Sequence, residues 1–222
     1  MIQIVSRIEA VFEEACATAG RAITLGTDSV RALGDLRRRK GEIINQGFRA
    51  TYGSLPVTVL TALFSGMILA SQTGIELAKY GQEAQIGYVV AASMCREMGP
   101  VMTAIALAGL MGSSYAAELG TMKVSEEIDA LQVMSIDPVH FLVMPRIVAL
   151  VAASVALTIM VNIIGIAGGA LIGKANFGIS FDVYFSKVEE ILKVRDIWVG
   201  MLKAASFGLS TAIIRKKRLY RS

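Results

Sequence analysis

Three long runs without a charged residue constrain the fold of this chain more than any other feature. They cover residues 50–75, 98–117 and 147–173, and they contain 26, 20 and 27 residues. A helix needs about 20 predominantly apolar residues to cross the hydrocarbon core of a bilayer. Each run is long enough for one crossing, so the sequence predicts an all-α, polytopic integral membrane protein.

The overall composition agrees with this interpretation. Only 18% of the 222 residues are charged and 54% are hydrophobic, whereas about a quarter of the residues of a soluble domain are charged. A soluble protein with a large core is therefore the disfavoured alternative. The two cysteines, Cys16 and Cys95, lie far apart in the sequence and indicate neither a disulfide framework nor a metal cluster.

The distribution of basic residues predicts the orientation of the spans. We expect four crossings, at about 50–71, 86–117, 147–173 and 197–214, with both termini on the cytoplasmic side. The segment through residue 49 holds eight Lys and Arg and residues 215–221 hold five, whereas the two outer loops together hold five. Basic residues concentrate on the cytoplasmic side of membrane proteins.

The second predicted span has an interruption. Its roughly 32 residues exceed the length of one straight crossing, and Gly99-Pro100 is the expected break because proline lacks a backbone donor. Beyond the break, small residues recur every fourth position, which allows another helix to approach closely. These residues are Ala104, Ala108, Gly112, Ala116 and Gly120.

Three segments are predicted to lie outside the bilayer. Residues 1–34 have apolar side chains at helical spacing and charges on the opposite face, which is typical of a helix in the membrane interface; packing on a soluble partner is the alternative. Residues 121–137, between spans two and three, form a short amphipathic cytoplasmic helix that ends at Asp137-Pro138. Apolar residues within 174–195 predict a helix along the outer surface.

Three charged residues lie deep within apolar sequence: Arg96, Glu97 and Lys203. A charge at bilayer depth costs several kcal/mol unless it is paired or hydrated, so it usually serves a function. Arg96 and Glu97 are adjacent, so on a helix their side chains point about 100° apart and each needs a partner elsewhere. We expect Lys203 for Glu97, and a lipid phosphate or a carboxylate for Arg96. An interhelical pair that only fixes packing is the alternative.

The central stretch resembles a known family, the MlaE-type permease subunits of ABC lipid transporters that work with MCE-domain proteins. The resemblance rests on an ordered, almost gap-free series of motifs and continues more weakly over most of the chain. The motifs are Arg96-Glu97, Gly99-Pro100-Val101, Ala116 to Met122, Glu126 with Ile128 to Leu131, Val133-Met134, Asp137-Pro138 and Pro145-Arg146.

The resemblance implies a single membrane permease domain over 1–222, with a transmembrane core at 50–214. It also implies a homodimer, a cytoplasmic ABC ATPase subunit, an MCE-domain protein on the outer side and a phospholipid or related lipid as cargo. Arg96, Glu97 and Lys203 would then line the lipid cavity, and the segment at 121–137 would be the coupling helix that docks on the ATPase. Its contact candidates are Glu118, Thr121, Glu126, Glu127, Asp129 and Asp137.

Other implications concern catalysis, location and length. We expect no enzymatic activity, cofactor or metal in this chain, because it has no Walker A, H-E-x-x-H or G-x-S-x-G motif. The expected location is a bacterial inner membrane, or the plastid inner envelope in a plant. The family usually has a fifth span, whereas here the resemblance stops near Ile214, so a naturally short chain and a truncated one are both open. The alternative functions are a remnant that only binds partners and an ATPase-independent secondary transporter.

Overall fold

The computed structural model describes residues 40–127, 130, 133–134 and 144–219, and these residues form helices and connecting turns without a strand. A 3₁₀ turn, Glu83–Gln85, precedes the second helix, and a π-helix, Met94–Met98, joins the second helix to the third. The α-helices in chain order are α1 (Lys40–Ala78), α2 (Ile86–Ser93), α3 (Gly99–Val124), α4 (Met144–Phe177), α5 (Phe181–Ile191) and α6 (Val194–Leu219).

Three stretches of the described chain are long and apolar enough to cross a membrane. They are Gly41–Ala78, Glu83–Val124 and Pro145–Phe177, and they contain the three uncharged runs. This confirms the prediction of an all-α polytopic membrane protein. The 26 residues of α6 extend over about 39 Å, which is also enough to cross the bilayer core, and the crossing by α6 stays a prediction.

The first helix is longer than the span predicted at 50–71. It begins at Lys40, continues through Pro56 and ends at Ala78, so most of the predicted loop after residue 76 is reduced to a short turn. The uncharged run marks only the part of a helix that can lie in hydrocarbon. Backbone hydrogen bonding continues into flanking polar sequence, where no helix-breaking residue stops it.

Helices α1 and α4 pack side by side and run parallel. Gly47 lies against Ala149, Gly66 against Gly165 and Gly74 against Phe177, so equivalent depths meet along both helices. The approach is closest at Gly66, where a Cβ would lie 2.8 Å from the Cα of Gly165. Small residues allow this contact between the two helix backbones.

Helix α5, which was predicted to lie along the outer surface, packs one face against the long helices. Ser180 caps its first turn by accepting a hydrogen bond from the Val183 amide at 3.4 Å. Tyr184, Val188 and Ile191 occupy one buried face, and the Tyr184 hydroxyl donates to the Ile166 carbonyl at 3.1 Å. Burial raises the pKa of Tyr184, so the phenol remains protonated and keeps this donor.

The cytoplasmic segment begins later than predicted. Helix α3 continues to Val124, so Thr121 belongs to the long helix, where its hydroxyl donates to the Glu118 carbonyl at 2.7 Å. A turn follows, in which Glu126 has a φ of 58°, an uncommon conformation for a residue other than glycine. Asp129, Asp137 and the predicted helix at 1–34 lie outside the described residues.

Candidate functional site

The break predicted at Gly99-Pro100 is preceded by a π-helix inside the membrane run Glu83–Val124. The π-helix, Met94–Met98, ends where the Gly99 amide donates to the Met94 carbonyl, five residues earlier. Pro100 has no amide hydrogen, so one carbonyl of the preceding turn loses the donor that this position supplies in a helix, that of Arg96 in α-geometry or that of Cys95 in π-geometry. The chain therefore continues as a helix through this membrane run but lacks one backbone donor at Pro100.

The Arg96 side chain is paired with Asp196 of α6. Its Nε and Nη2 atoms donate to the two carboxylate oxygens at 3.1 and 3.2 Å, which is a bidentate arrangement. The Asp196 side chain is 11% exposed, whereas the Arg96 side chain is 43% exposed. Of the two partners expected for Arg96, a lipid phosphate and a carboxylate, the structure contains the carboxylate.

The Glu97 carboxylate is in hydrogen-bond contact with the Lys203 ammonium, as expected from the sequence. Lys203 also donates to the Arg96 carbonyl at 3.0 Å. Lys203 and Asp196 are seven residues apart on α6, which is close to two helical turns, so both project toward the π-helix from one face. We refer to Arg96, Glu97, Asp196 and Lys203 together as the charge cluster.

The charge cluster lies beside the middle of the apolar run of α4 and is open on one side. Gly99 packs against Asn162, which is two residues from the midpoint of the uncharged run 147–173. At this depth the Glu97 side chain is 68% exposed and that of Lys203 is 37% exposed. Charged groups are strongly disfavoured against lipid tails, so this side requires water, a polar head group or another protein surface.

A second interhelical pair lies toward the end of α3 that is predicted to be cytoplasmic. Arg146, in the first turn of α4, donates through Nη2 to Glu118 of α3 at 3.0 Å, and its guanidinium lies 5.3 Å from the centre of the Tyr115 ring. Arg146 is 7% exposed, and its Nε and Nη1 atoms are buried without a hydrogen-bond partner. Glu118 thus links two membrane helices, and its predicted contact with a soluble partner stays a prediction.

The other residues predicted to contact the ATPase lie away from the charge cluster. Thr121, Glu126 and Glu127 are exposed at and beyond the C-terminal end of α3, which is predicted to be cytoplasmic. Their predicted role in coupling stays a prediction. Sequence reasoning missed Asp196 and Arg146 as site residues, although the spacing of seven between Asp196 and Lys203 is a signal that the two could share one helix face.

The chain was compared with known proteins. The profile of the family described as Permease MlaE matches residues 43–218. A probable ABC transporter permease protein of Rickettsia conorii is 38% identical over 172 residues, which is 78% of this chain and 66% of the relative. The intermembrane phospholipid transport system permease protein MlaE of Haemophilus influenzae is 36% identical over 162 residues, 72% of this chain and 62% of the relative.

A plant protein is similar to the same extent. The chloroplastic protein TRIGALACTOSYLDIACYLGLYCEROL 1 of Arabidopsis thaliana is 39% identical over 184 residues, which is 81% of this chain and 53% of that protein. The chain thus spans between about half and two thirds of the length of these relatives. Because the family profile covers most of the chain, and the charge cluster and the helices around it lie within the matched region, the chain belongs to the MlaE permease family.

Proposed function

We propose that this chain is the permease subunit of an ABC-type transporter that moves phospholipid or a related lipid between membranes. A separate cytoplasmic ATPase subunit supplies the energy. The chain itself carries out no catalysis in this proposal; its helices provide the path for the lipid. The names of the bacterial relatives support the permease and phospholipid assignments, and the charge cluster supports them independently.

The observation that carries the proposal is the exposure of paired charges beside the apolar runs of the membrane helices. Two helices of one protomer satisfy the four side chains in part, yet Glu97, Arg96 and Lys203 remain open on one side. A pair that served only packing would be most stable when buried on all sides, because exposure to lipid tails is costly. An open pair is consistent with a cavity that admits water and the polar head group of a lipid.

The proposal includes the partners that enclose such a cavity. A second copy of this chain would cover the open side, and the exposed Ala108 and Gly120 of α3, with the half-buried Gly112 between them, are small enough for close helix contact. An MCE-domain protein would receive or deliver lipid on the outer side. The proposed location is the bacterial inner membrane, with the plastid inner envelope as the counterpart in a plant.

The first test neutralises Glu97. Glu97→Gln keeps the shape of the side chain and removes its charge. We expect the variant to insert into the membrane and to bind its ATPase. It should retain and move lipid at less than about a tenth of the normal level, because this is the typical effect of losing one charged contact. Bound lipid is counted by mass spectrometry, and transport is measured between vesicles on the same preparation.

The matched control is Glu76→Gln. Glu76 also pairs with a lysine, Lys79, and is 65% exposed, but it lies at the outer end of α1 instead of mid-bilayer. We expect this control to behave like the unmodified protein. Full lipid occupancy and full transport by a destabilised Glu97→Gln would assign the cluster to packing alone. An unmodified chain that binds the ATPase but neither holds nor moves lipid would instead support the partner-binding remnant.

The second test separates the ABC-type transporter from an ATPase-independent one. Glu127 follows the turn at the cytoplasmic end of α3, and Asp129 is two residues further on. We expect reversal of both charges, Glu127→Lys with Asp129→Lys, to reduce co-purification of the ATPase by about tenfold while membrane insertion stays normal, since like charges at an interface are repulsive.

The control for this reversal is Glu83→Lys with Glu189→Lys, two acidic residues at the opposite end of the molecule. This variant should retain the ATPase. Normal retention and normal ATP-dependent transport after reversal at Glu127 and Asp129 would show that the acidic face is only solvated. Transport by the purified chain without any ATPase would favour the secondary transporter.

A further inference from the structure

Pro100 creates a local deficit of backbone donors inside the membrane. In a helix the amide of residue 100 would donate to the carbonyl of Arg96, four residues earlier, or to that of Cys95 in π-geometry. Proline has no such hydrogen, and the Gly99 amide is already bonded to the Met94 carbonyl. An unsatisfied carbonyl is costly in the bilayer because no bulk water replaces the missing donor.

Both carbonyls that an amide at position 100 could serve lie next to α6. The Lys203 ammonium donates to the Arg96 oxygen at 3.0 Å. One turn earlier on α6, Gly200 lies so close to the Cys95 oxygen that a Cβ there would collide with it. Helix α6 thus places the Lys203 ammonium against the first of these carbonyls and, one turn earlier, the side-chain-free Gly200 against the second.

Lys203 therefore has two separate contacts on adjacent residues. One is with the carboxylate of Glu97, and the other is with the backbone of Arg96. An ammonium has three donors and can hold both acceptors at once. A counter-ion for Glu97 would need only the first contact, so the second one requires its own explanation.

We propose that Lys203 is a positioning residue whose ammonium replaces the amide hydrogen that Pro100 lacks. In this way it holds the π-helix Met94–Met98 in the arrangement that presents Arg96 and Glu97 to the cavity. The consequence for transport rests on the function proposed above. The structural part does not, because it concerns only the backbone of the π-helix and its donor.

The proposal predicts an unusual rescue. Lys203→Met removes both contacts, whereas adding Pro100→Ala returns an amide hydrogen to the Arg96 or Cys95 carbonyl without returning any charge. If Lys203 served only as the counter-ion of Glu97, the rescuing change would instead be Glu97→Gln, which removes the unpaired carboxylate. The two double variants therefore distinguish the two roles of one side chain.

Cys95 supplies a readout that does not depend on lipid or ATP. It lies in the π-helix and is 4% exposed. In a Cys16→Ser background, the rate at which N-ethylmaleimide labels Cys95 in membrane vesicles reports how well the π-helix is held. We expect Lys203→Met to raise this rate at least about tenfold, the factor that losing one charge-assisted hydrogen bond gives.

The double variants decide the proposal. Lys203→Met with Pro100→Ala should label within about twofold of the parent, and Lys203→Met with Glu97→Gln should keep the raised rate, because only the first restores a donor. An unchanged labelling rate in Lys203→Met, rescue by Glu97→Gln alone, or equal effects of the two second changes would overturn the proposal.

If Lys203→Met does not accumulate, the membrane-inserted amount of each double variant answers the same question. Restored labelling together with absent lipid transport would leave the positioning role in place and count against the proposed function.

Discussion

Gly66→Ala should destabilise the protein by about 3 kcal/mol or more, the upper part of the range for overpacking a tight site. The added Cβ would lie 2.6 Å from the carbonyl carbon of Gly165 and 2.8 Å from its Cα. These are backbone atoms of α4, so no side-chain rotation relieves the overlap. The helices would have to separate along the interface that organises the core.

The same substitution at Gly109 should not destabilise the protein. Gly109 lies within α3, and a Cβ there would meet nothing within 4 Å. Alanine in a helix interior is favoured over glycine by about 0.5–1 kcal/mol, so Gly109→Ala should be neutral or stabilising. Gly165→Ala should fall between the two, because its nearest neighbour is the flexible end of the Met94 side chain.

These effects can be measured by unfolding of the purified protein in mixed detergent micelles, with secondary structure as the signal. Comparison of the three alanine variants removes the effect of the detergent, since the chemical change is identical in each. Equal stability of Gly66→Ala and Gly109→Ala would contradict the close parallel contact of α1 and α4.

Glu118→Leu should destabilise the protein by about 2 kcal/mol, because it leaves the buried guanidinium of Arg146 without a carboxylate. Arg146 is 7% exposed and already has two donor atoms without partners, whereas the Glu118 side chain is 48% exposed. The two partners are therefore not equivalent. Arg146→Met removes the buried charge and leaves a carboxylate that water can reach, so its cost should be smaller.

The double variant tests whether the two side chains stabilise the protein as a pair. Glu118→Leu with Arg146→Met should recover most of the stability lost in Glu118→Leu, since replacing a buried ion pair by apolar residues is often close to neutral. ATPase co-purification of the stable double variant then tests the coupling role that the sequence suggested for Glu118. A double variant that is less stable than Glu118→Leu would contradict the assignment of this pair to helix packing.

The uncharged runs predicted where helices cross the membrane but not where they end. Residues 50–71 are the part of α1 that the hydrocarbon requires to be apolar, and nothing in the flanking sequence signals that the helix extends from Lys40 to Ala78. The same cause placed Thr121 in the cytoplasmic segment instead of α3. Hydropathy indicates which part of a helix lies in lipid, whereas hydrogen bonding and turns determine where the helix ends.

The charge cluster was predictable to the extent that its charges interrupt apolar sequence. Arg96, Glu97 and Lys203 are conspicuous for this reason, and the need for separate partners follows from the geometry of adjacent helical residues. Asp196 is not conspicuous, because it lies at the end of a predicted span, where a charge needs no explanation. Its partnership with Arg96 depends on the position of α6 against the π-helix, which only the packed structure defines.

The Glu118–Arg146 pair divides α3 into two unequal arms. Nineteen residues separate Glu118 from Gly99 and six separate it from Val124, so the arms measure about 28 Å and about 9 Å. If α3 rotated rigidly about this pair, a displacement of about 1 Å at the turn after Val124 would become about 3 Å at the π-helix. That is as long as the hydrogen bonds from Arg96 to Asp196, so such a rotation would separate these two charges.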